Sequence, residues 1–500
     1  MGTGLGLMIV NTNNPFDFDG KRVSVIGAAR SGIAAARALL TLGARHVLLS
    51  DSKSIDELAA DVLQQVDEIG VDFAASATPE MAIPKGTDLV VTSPGVPKYA
   101  AVLRHAVEAG VPVWSEIELA YRISPAAIIA ITGTNGKTTT TLLAAGILRA
   151  GGLDAVVAGN ISADEMKCTL VDAAFAAYLE GAVTRLIVAE ISSFQLEWIA
   201  EFSPWISVLT NITPDHLNRH RDMDEYASAK RRIFERQSPT DWAITCSDDP
   251  ISAALSLSDV KAQHLRVARK SGVLKEGADA YVDWESGDLT ICLPKCEPEV
   301  IMNARDLPDT LPGSHSITNA LMAAAIGRIA GVSPTTIATA VRSFRGAPHR
   351  MELAGECHGV RYINNSMCTN VAAAAASIES IGSPAIIIMG GADKEIAFDG
   401  LAEPLIRYAH HTILIGSAAD KIEAAVRSRG YTRISRANTL EEAVLLGASM
   451  AKPGMVVSLT PACASFDMFT DFEARGAEFR RIVSDLQGQP VINTTGGRYE

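Results

Sequence analysis

Short apolar runs rich in valine and isoleucine alternate along this chain with longer runs in which alanine and leucine recur at helical spacing. The short runs have strand length and end at glycine or polar residues. In the first half of the chain they lie at 22–27, 46–50, 88–92, 126–131, 186–190 and 206–209. Helical runs follow several of them, up to Leu42 and over 139–148 in two cases. This alternation predicts an α/β protein built on mostly parallel sheets.

The alternation becomes most regular toward the C-terminus. Predicted strands lie at 360–364, 385–389, 412–415 and 455–459, and predicted helices at 371–381, 400–409, 418–429 and 471–486. Such a succession predicts a doubly wound, Rossmann-like parallel sheet. The segment 256–312 is different, because it is rich in charged and turn residues with short strand-like pieces such as 288–293. We expect a second sheet or an insertion there.

Five hundred residues are too many for one hydrophobic core, so three domains are expected. Ser124-Pro125 marks one boundary, and the chain changes character again near Gly346–Pro348. The prediction is a Rossmann-like domain over 1–124 with an N-terminal extension at 1–19, a central domain over 125–346, and a C-terminal domain over 347–488. Residues 489–500 are predicted to form a disordered tail.

Composition narrows the class of protein. A formal net charge of −13, with no basic run among aromatic residues, argues against a nucleic-acid-binding protein. No apolar run reaches the roughly 18–20 residues of a membrane span, and residues 1–19 lack the features of a signal peptide. Seven scattered cysteines suit a reducing compartment, and Cys292 and Cys296 have no second pair to complete a zinc site. A cytoplasmic enzyme without a membrane partner is expected.

One glycine-rich loop carries the strongest chemical signal. Residues 133–138 read Gly-Thr-Asn-Gly-Lys-Thr, between an apolar strand and a helix. This order directs backbone N–H groups and a helix N-terminus at one phosphate site. Lys137 would reach the β- and γ-phosphates of ATP, and the Thr138 hydroxyl would bind Mg²⁺. The general phosphate-loop pattern has glycine where this chain has Ile131, so a plain turn with a surface lysine is the alternative.

The first block opens like a nucleotide-binding fold. A short strand leads into the glycine turn Gly27–Gly32, and the next strand ends at Asp51. A further strand runs into the turn Ser93–Pro97, at the end of a strand where ligands bind in such sheets. The glycine spacing is not G-x-G-x-x-G, so a nicotinamide cofactor is not favoured. Plain structural turns are the alternative.

Polar side chains also follow two strands of the second block. Glu190 ends one strand where a carboxylate could hold a metal ion, and Asp215 and His216 leave the next strand. Lys230, judged from its neighbours alone, is a surface lysine on a charged helix. Further groups suited to a phosphate or a carboxylate lie in the third block, at Arg350, Lys394 and 460–467.

Taken together, these segments resemble the Mur ligases. The matching segments are 133–138, 190–197, 215–216, 230–234, 313–315, 348–350, 390–394 and 461–467. The resemblance runs in chain order from about residue 22 to residue 486. Segments 190–197 and 461–467 are most similar to the branch of the family that adds D-glutamate.

The resemblance implies three domains that bind a UDP substrate, ATP and an amino acid in turn. It implies that the γ-phosphate of ATP activates the carboxylate of UDP-N-acetylmuramoyl-L-alanine. The amine of D-glutamate then attacks the acyl phosphate, in cytoplasmic peptidoglycan precursor synthesis. A monomeric enzyme is expected, with two Mg²⁺ sites, one of them bridged by a carbamate on Lys230.

The resemblance also assigns roles residue by residue. Catalysis falls to Lys137, Glu190, His216 and Lys230, and metal binding to Thr138, Glu190, His216 and Lys230. The ATP contacts are Gly133, Thr134, Asn135, Gly136, Lys137, Thr138, Thr139, Asn319 and Arg350. The UDP-substrate contacts are Arg30, Ser31, Asp51, Ser93, Gly95, Asn160 and His216. The amino-acid contacts are Thr369, Lys394, Ser465, Phe466 and Phe472.

The chain departs from the family pattern in a few places. Related ligases carry Asp and Lys where this chain has Asn365 and Met367, an asparagine in place of Ser316, and a glycine in place of Ser162. We expect altered nucleotide affinity or a variant substrate rather than loss of function. Two alternatives stay open: the same chemistry with another amino acid such as L-glutamate, and a non-catalytic scaffold. A folylpolyglutamate-type ligase fits less well because the first block has UDP-type features.

Overall fold

The computed structural model describes most of the chain. The described residues are 16–161, 168–217, 219–255, 257–269, 279–283, 285–308, 310–311, 313–381, 384–393 and 397–488. They form two compact units, one of residues up to Leu307 together with Ile317–Phe344, and one of Pro308–Ser316 together with the chain from Arg345 onward. In this described part, no helix is both long and apolar enough to cross a bilayer.

The first unit begins with a parallel sheet that has five strands among the described residues, in the order β3-β2-β1-β4-β5. The strands are β1 (Arg22–Ile26), β2 (His46–Ser50), β3 (Asp72–Ala74), β4 (Leu89–Thr92) and β5 (Val113–Ser115). The helices are α1 (Arg30–Thr41), α2 (Ala60–Ile69), α3 (Pro79–Ala82), α4 (Ala101–Glu108) and α5 (Glu116–Ile123). Val23 pairs with Val47 on one side and with Leu89 on the other. Both neighbours of β1 are therefore parallel to it.

The central sheet has the strand order β14-β13-β12-β11-β10-β9-β6-β8-β7 in the part of the chain that is described. Its strands are β6 (Ala127–Thr132), β7 (Ala155–Gly159), β8 (Leu186–Glu190), β9 (Ile206–Leu209), β10 (Trp242–Cys246), β11 (Gln263–Ala268), β12 (Ala280–Val282), β13 (Asp288–Ile291) and β14 (Glu299–Asn303). The helices between Lys137 and Arg342 are α6 (Lys137–Ala150), α7 (Leu170–Glu180), α8 (Met223–Arg231), α9 (Pro250–Ala254), α10 (Ser314–Ile329) and α11 (Pro334–Arg342). Strands β8, β6 and β9 lie side by side and parallel, so the residues after them meet at one edge.

The segment 256–312 corrects one prediction. We expected a second sheet or an insertion there, but its strands extend the central sheet. Strand β12 pairs parallel to β11, and β13 and β14 then add by antiparallel pairing. The physical reason is that short hairpin strands can join an existing sheet edge and need no core of their own.

The second unit contains a sheet with the described strand order β15-β16-β20-β17-β18-β19. Its strands are β15 (Glu352–Cys357), β16 (Val360–Asn364), β17 (Ala385–Gly390), β18 (Ala409–Ile415), β19 (Ile434–Arg436) and β20 (Val456–Leu459). Its helices are α12 (Val371–Ile381), α13 (Ala402–Tyr408), α14 (Ala419–Ser428), α15 (Leu440–Met450) and α16 (Phe472–Gly488). The predicted doubly wound sheet is confirmed, with β15 as an additional antiparallel edge strand.

One continuous core explains why the first two sheets share a unit. Buried residues of α1 and α5, such as Leu39 and Ile117, belong to the same apolar cluster as Ile128 of β6 and Ala174 of α7. Helix α7 packs against both α1 and α5. The domain limits at 124/125 and 346/347 remain predictions.

Candidate functional site

The loop between β6 and α6 has the conformation that its two glycines permit. Gly133 has φ +147° and Gly136 has φ +84°, values that side chains rarely adopt. A Cβ at Gly133 would overlap the Thr210 hydroxyl, and one at Gly136 would overlap the side-chain oxygen of Asn319. Helix α6 starts at Lys137, so its first N–H groups lack partners within the helix and face the loop. This is the geometry of an anion site.

Two side chains of the loop make contacts that suit a phosphate and a metal ion. The Thr138 hydroxyl donates to Glu190 Oε2 at 2.6 Å, in a buried position at the end of β8. Lys137 Nζ donates to the carbonyl of Thr134 at 2.9 Å, which holds its side chain back over the loop. The predicted metal ligands Thr138 and Glu190 are therefore in direct contact.

Lys230 is buried, contrary to the surface position that its sequence neighbours suggest. Its side chain reaches from α8 to the glycine loop, and Nζ donates to the carbonyl of Gly133 at 2.9 Å. Burial lowers the pKa of this amine well below its usual value, and the charge of Lys137 adds to the effect, while Asp215 and Glu190 oppose it. Burial therefore favours the neutral form of the amine, which is a nucleophile as well as a base.

Asp215 and His216 leave β9 on the same side of the sheet. His216 has φ +54°, an uncommon conformation for a residue with a side chain, and its side chain is 46% exposed. Its ring packs edge-on against the Phe194 ring with centroids 4.9 Å apart. His216 Nε2 lies 3.8 Å from Asp215 Oδ2. The imidazole is thus held at the rim of the site with part of its surface exposed.

A buried network that the sequence analysis did not identify supports this rim. Ser193 Oγ and His220 Nε2 are hydrogen-bonded at 2.9 Å, and Arg219 forms an ion pair of 3.0 Å with Glu197. Burial lowers the pKa of His220 to about 4, so this ring is neutral near pH 7. Only the run of polar residues at 215–220 hinted at these contacts, because the partners lie in a different segment.

Two glutamates at the start of α5 anchor the segment after Glu190. Gln195 Nε2 donates to Glu116 Oε1 at 2.7 Å, and burial raises the pKa of the Glu116 carboxyl to about 7. Glu118 accepts from the Arg122 guanidinium at 2.8 Å and from the backbone N–H groups of Ala200, Glu201 and Phe202. Carboxylates inside apolar surroundings are held by such donors. Their burial could not be read from the sequence.

The first sheet places its predicted substrate residues at the ends of β1, β2 and β4. Asp51 accepts the backbone N–H groups of Ala28 and Lys53, each at 2.9 Å, so it shapes the two turns. The Ser93 hydroxyl donates to the carbonyl of Gly27 at 2.9 Å. Of the other predicted contacts, Arg30 and Ser31 begin α1, Gly95 lies in the turn after β4, and Asn160 follows β7 of the central sheet. Polar residues therefore also lie after the strands of the first sheet, in the same unit as the phosphate loop.

In the second unit, Arg350 lies in a strained turn. Its neighbours His349 and Met351 have φ +59° and +49°. The buried Asn365 side chain accepts from the backbone N–H of Met351 at 3.2 Å and donates to Ser377 Oγ at 2.9 Å. Asn365, one of the departures from the family pattern, therefore holds this turn and links it to Ser377 of α12.

Arg475 joins segments of the second unit that carry some of the predicted amino-acid residues. Its buried guanidinium donates to the hydroxyl and the carbonyl of Ser366 and to the carbonyls of Cys463 and Ala464, and burial lowers its pKa to about 10. Ser366 Oγ in turn donates to the carbonyl of Phe472 at 2.7 Å. Of the predicted residues, Ser465 is buried, Phe466 is 75% exposed and Thr369 is half-buried. Lys394 lies outside the described residues.

The donor set fits a hard cation that is only partly held by protein. Within the described ranges no three His, Cys, Asp or Glu side chains converge on one point. Glu190 and the Thr138 hydroxyl supply oxygen ligands, the kind that Mg²⁺ prefers, and phosphate oxygens usually complete such a site. The residues therefore suit Mg²⁺ bound together with a nucleotide better than a closed structural metal site.

Comparisons with known proteins agree with this geometry. A family model for the Mur ligase middle domain matches residues 131–327, and one for the Mur ligase glutamate ligase domain matches residues 349–463. A UDP-N-acetylmuramoylalanine–D-glutamate ligase of Pelotomaculum thermopropionicum is 40% identical over 94% of this chain and 99% of its own length. A protein of the same name from Koribacter versatilis is 40% identical over 95% of this chain and 99% of its own length.

Solved structures show the same fold at lower identity. The UDP-N-acetylmuramate–alanine ligase of Thermotoga maritima aligns with a TM-score of 0.57 at 16% identity, over 93% of this chain and 99% of that one. MurF of Acinetobacter baumannii also aligns with a TM-score of 0.57, at 17% identity over 89% of this chain and 91% of that one. The three-domain α/β architecture is thus shared.

Proposed function

Because this chain belongs to the Mur ligase family, an ATP-dependent group of amide-bond-forming ligases, we propose that it adds D-glutamate to UDP-N-acetylmuramoyl-L-alanine. The reaction would serve peptidoglycan precursor synthesis. The observation that carries the proposal is the buried contact between Thr138 and Glu190 at the phosphate loop, with the Lys230 amine on the carbonyl of Gly133 beside it. Relatives with this activity in their names match nearly the whole chain.

The phosphate loop would bind ATP through its backbone and one lysine. The first N–H groups of α6 would face the phosphate oxygens, and Lys137 would neutralise charge on the β- and γ-phosphates. Asn319, packed against Gly136, would border the base, and Arg350 is kept as a predicted ATP contact. The remaining predicted ATP contacts are Thr134, Asn135 and Thr139. Mur ligases generally use Mg²⁺, which when bound would spread the charge of the transferred phosphoryl group.

Lys230 would carry a carbamate. Burial favours the neutral form of the amine, and that form can attack CO₂, forming an N–C bond and releasing one proton to give an anion. The product adds an anionic oxygen ligand near Glu190, where no three His, Cys, Asp or Glu side chains converge among the described residues. We propose two metal sites on this basis, with Thr138, Glu190, His216 and the modified Lys230 as protein ligands.

The two substrates would be bound by separate parts of the chain. The turns after β1, β2 and β4 would bind the UDP part through Arg30, Ser31, Asp51, Ser93 and Gly95, with Asn160 and His216 nearer the reacting carboxylate. Ser465, Phe466, Phe472, Thr369 and Lys394 would receive the amino acid. The Ser465 hydroxyl is buried and has no hydrogen-bond partner among the described residues, so it could donate to a substrate carboxylate.

Two alternatives are weighed against this proposal. The same site would also serve an L-amino acid such as L-glutamate, since handedness is set by contacts in the second unit. A non-catalytic scaffold is disfavoured by the intact loop with Lys137, Glu190, His216 and Lys230. We further propose that the enzyme works as a monomer in the cytoplasm, where ATP and UDP-linked precursors are found.

The test is turnover of the purified protein with UDP-N-acetylmuramoyl-L-alanine, Mg²⁺-ATP and a panel of D- and L-amino acids. Phosphate release and product mass are followed for each. We expect phosphate release with D-glutamate alone and the matching gain in product mass. Release with a different amino acid only would reassign the substrate, and no release with any of them would favour the scaffold.

A further inference from the structure

Arg219 joins two loops that flank the candidate site. One nitrogen of its guanidinium, Nη2, donates to the carbonyl of Val96 at 2.7 Å and also to Glu197 Oε2 at 3.0 Å. Nη1 lies 3.5 Å from the carbonyl of Gly95. Gly95 and Val96 belong to the turn after β4, while Glu197 belongs to the segment after β8. A single planar side chain thus bridges the first and the central sheet.

The same guanidinium packs on the aromatic ring that supports His216. Its central carbon lies 4.4 Å from the Phe194 ring centroid, and Phe194 is the ring that packs edge-on against His216. The backbone N–H of Arg219 also donates to the carbonyl of His216 at 2.9 Å. Two short paths, one through Phe194 and one through the backbone, therefore lead from Arg219 to His216.

His216 needs such support. Its φ of +54° lies in a region that residues with side chains rarely adopt, so neighbouring contacts must hold it there. The N–H of His220 donates to the His216 carbonyl as well, and the His220 ring bonds to Ser193, three residues after Glu190. The turn that carries His216 is therefore fixed to the segment that follows Glu190.

From these contacts we propose that Arg219 is a positioning residue that holds His216 in place against the Glu190 site and in register with the turn Ser93–Val96. The inference rests on the proposed function, because it takes that turn as the place of the UDP substrate. It adds a residue to which neither the sequence motifs nor the family resemblance assigned a role. Arg219 itself would touch neither the metal nor the reacting atoms.

Only arginine has the shape for this position. A planar fork with five donors can reach two carbonyls and a carboxylate while its face covers an aromatic ring. A lysine would keep the ion pair with Glu197 but lose the stacking on Phe194 and one of the two carbonyl contacts. Arg219→Lys therefore keeps the positive charge but removes contacts that would position His216, so the two effects can be told apart.

The experiment compares Arg219→Lys, Phe194→Leu and the double variant with the wild type, all as full chains. The matched control is Arg221→Ala, two residues further on, whose side chain is 73% exposed and pairs with Glu225. The first readout is the affinity for Mn²⁺, measured by paramagnetic resonance with a non-hydrolysable ATP analogue. The second is the split between kcat and the KM values for ATP and the UDP substrate, and melting temperature records folding.

We expect Arg219→Lys and Phe194→Leu each to weaken Mn²⁺ binding by about tenfold and to lower kcat by about 10- to 100-fold, with KM for ATP within about twofold. Because the substitutions leave the backbone contact in place and both interrupt the path through the Phe194 ring, the double variant should be no worse than the more affected single variant. Arg221→Ala should match the wild type. If Arg219→Lys does not fold, Phe194→Leu alone still tests the path to His216.

Unchanged Mn²⁺ affinity in Arg219→Lys and Phe194→Leu would overturn the inference. So would effects that multiply in the double variant, because independent paths give additive free energies. Wild-type protein without turnover on D-glutamate would refute the proposed substrate instead. In that case the Mn²⁺ titration, which needs no amino acid, would still decide the role of Arg219.

Discussion

The loop after β6 and the loop after β16 are built in opposite ways. In the first, glycines expose backbone N–H groups, and charged side chains such as Lys137 and Glu190 surround the space left open. In the second, the side chains of Asn365 and Ser366 are occupied by internal partners. The polar groups of the first loop suit the binding of a ligand, whereas the polar side chains of the second loop hold that loop in its own conformation.

This difference explains how the chain tolerates its departures from the family pattern. An amide at 365 both accepts from a backbone N–H and donates to a hydroxyl, and a carboxylate could do only the former. The loss of an acid and a base there leaves no unpaired charge behind. We therefore place the chemistry in the first loop and a supporting role in the second.

The largest expected effect comes from Lys230. Lys230→Ala should lower turnover by roughly a thousandfold, since it removes a group next to the transferred phosphoryl. Short carboxylates such as formate or acetate, titrated into the assay, should restore part of the rate. Lys230→Arg, which keeps a cation but cannot form a carbamate, is the matched control and should stay inactive with or without them. Absence of rescue in a folded Lys230→Ala protein would count against the carbamate.

Glu116 gives a pH-dependent effect on stability. Its pKa is about 7 in the folded protein and near 4.5 when unfolded, so the native state holds its proton longer and stability falls as pH rises between these values. Glu116→Gln removes this loss, which is on the order of 3 kcal/mol above pH 7. The variant should be more stable than wild type at pH 8 and similar to it at pH 4.5, as measured by urea unfolding.

The neighbouring Glu118 supplies the contrast for that measurement. Its carboxylate accepts backbone N–H groups and a guanidinium, so Glu118→Gln should destabilise the protein at pH 8. Equal effects of the two substitutions at pH 8 would refute the role given to Glu116.

A smaller effect is expected at Asn365. Asn365→Asp removes the donor to Ser377 and places a carboxylate in a buried position, which should cost about 1–3 kcal/mol of unfolding free energy. Thermal melting at pH 7 measures it. An Asp variant as stable as the wild type would mean that the second loop can accept the family residue without penalty.

The smallest effect is expected at Met367, whose side chain is half-buried and whose backbone N–H donates to the His349 carbonyl. Met367→Lys should change KM for ATP by less than about threefold and leave the amino-acid preference unchanged, because the contacts of this loop are made by other groups. A clear change in either would make the loop a determinant of specificity and remove the contrast between the two loops.

Much of the fold could be predicted because each buried strand is a nearly continuous apolar run. The strands at 186–190, 206–209 and 360–364 were predicted to the residue. Strand β15 was missed because its exposed and half-buried residues lack such a run, and α15 was missed in the stretch before the last strand. Pairing partners were not readable either, so the extension of the central sheet by β12–β14 emerged only in three dimensions.

The residues of the candidate site likewise fall into those that the sequence predicts and those that it does not. Lys137, Thr138 and Glu190 could be predicted as site residues because a glycine loop and a strand end are local sequence patterns. The burial of Lys230 was not visible from its charged neighbours, and its role came from the family resemblance. Arg219, Glu116 and Arg475 were missed because their partners lie far away in the sequence. Contacts between residues far apart in the sequence leave no recognisable pattern in either segment.

The central claim is that the first loop uses ATP to activate a substrate carboxylate. The most direct test uses UDP-N-acetylmuramoyl-L-alanine with ¹⁸O in its terminal carboxylate, together with Mg²⁺-ATP and D-glutamate. An acyl phosphate passes one carboxylate oxygen to phosphate when the amine displaces it, so the account predicts one ¹⁸O atom in each phosphate released. Phosphate without ¹⁸O, formed at the same rate as the product, would contradict the account.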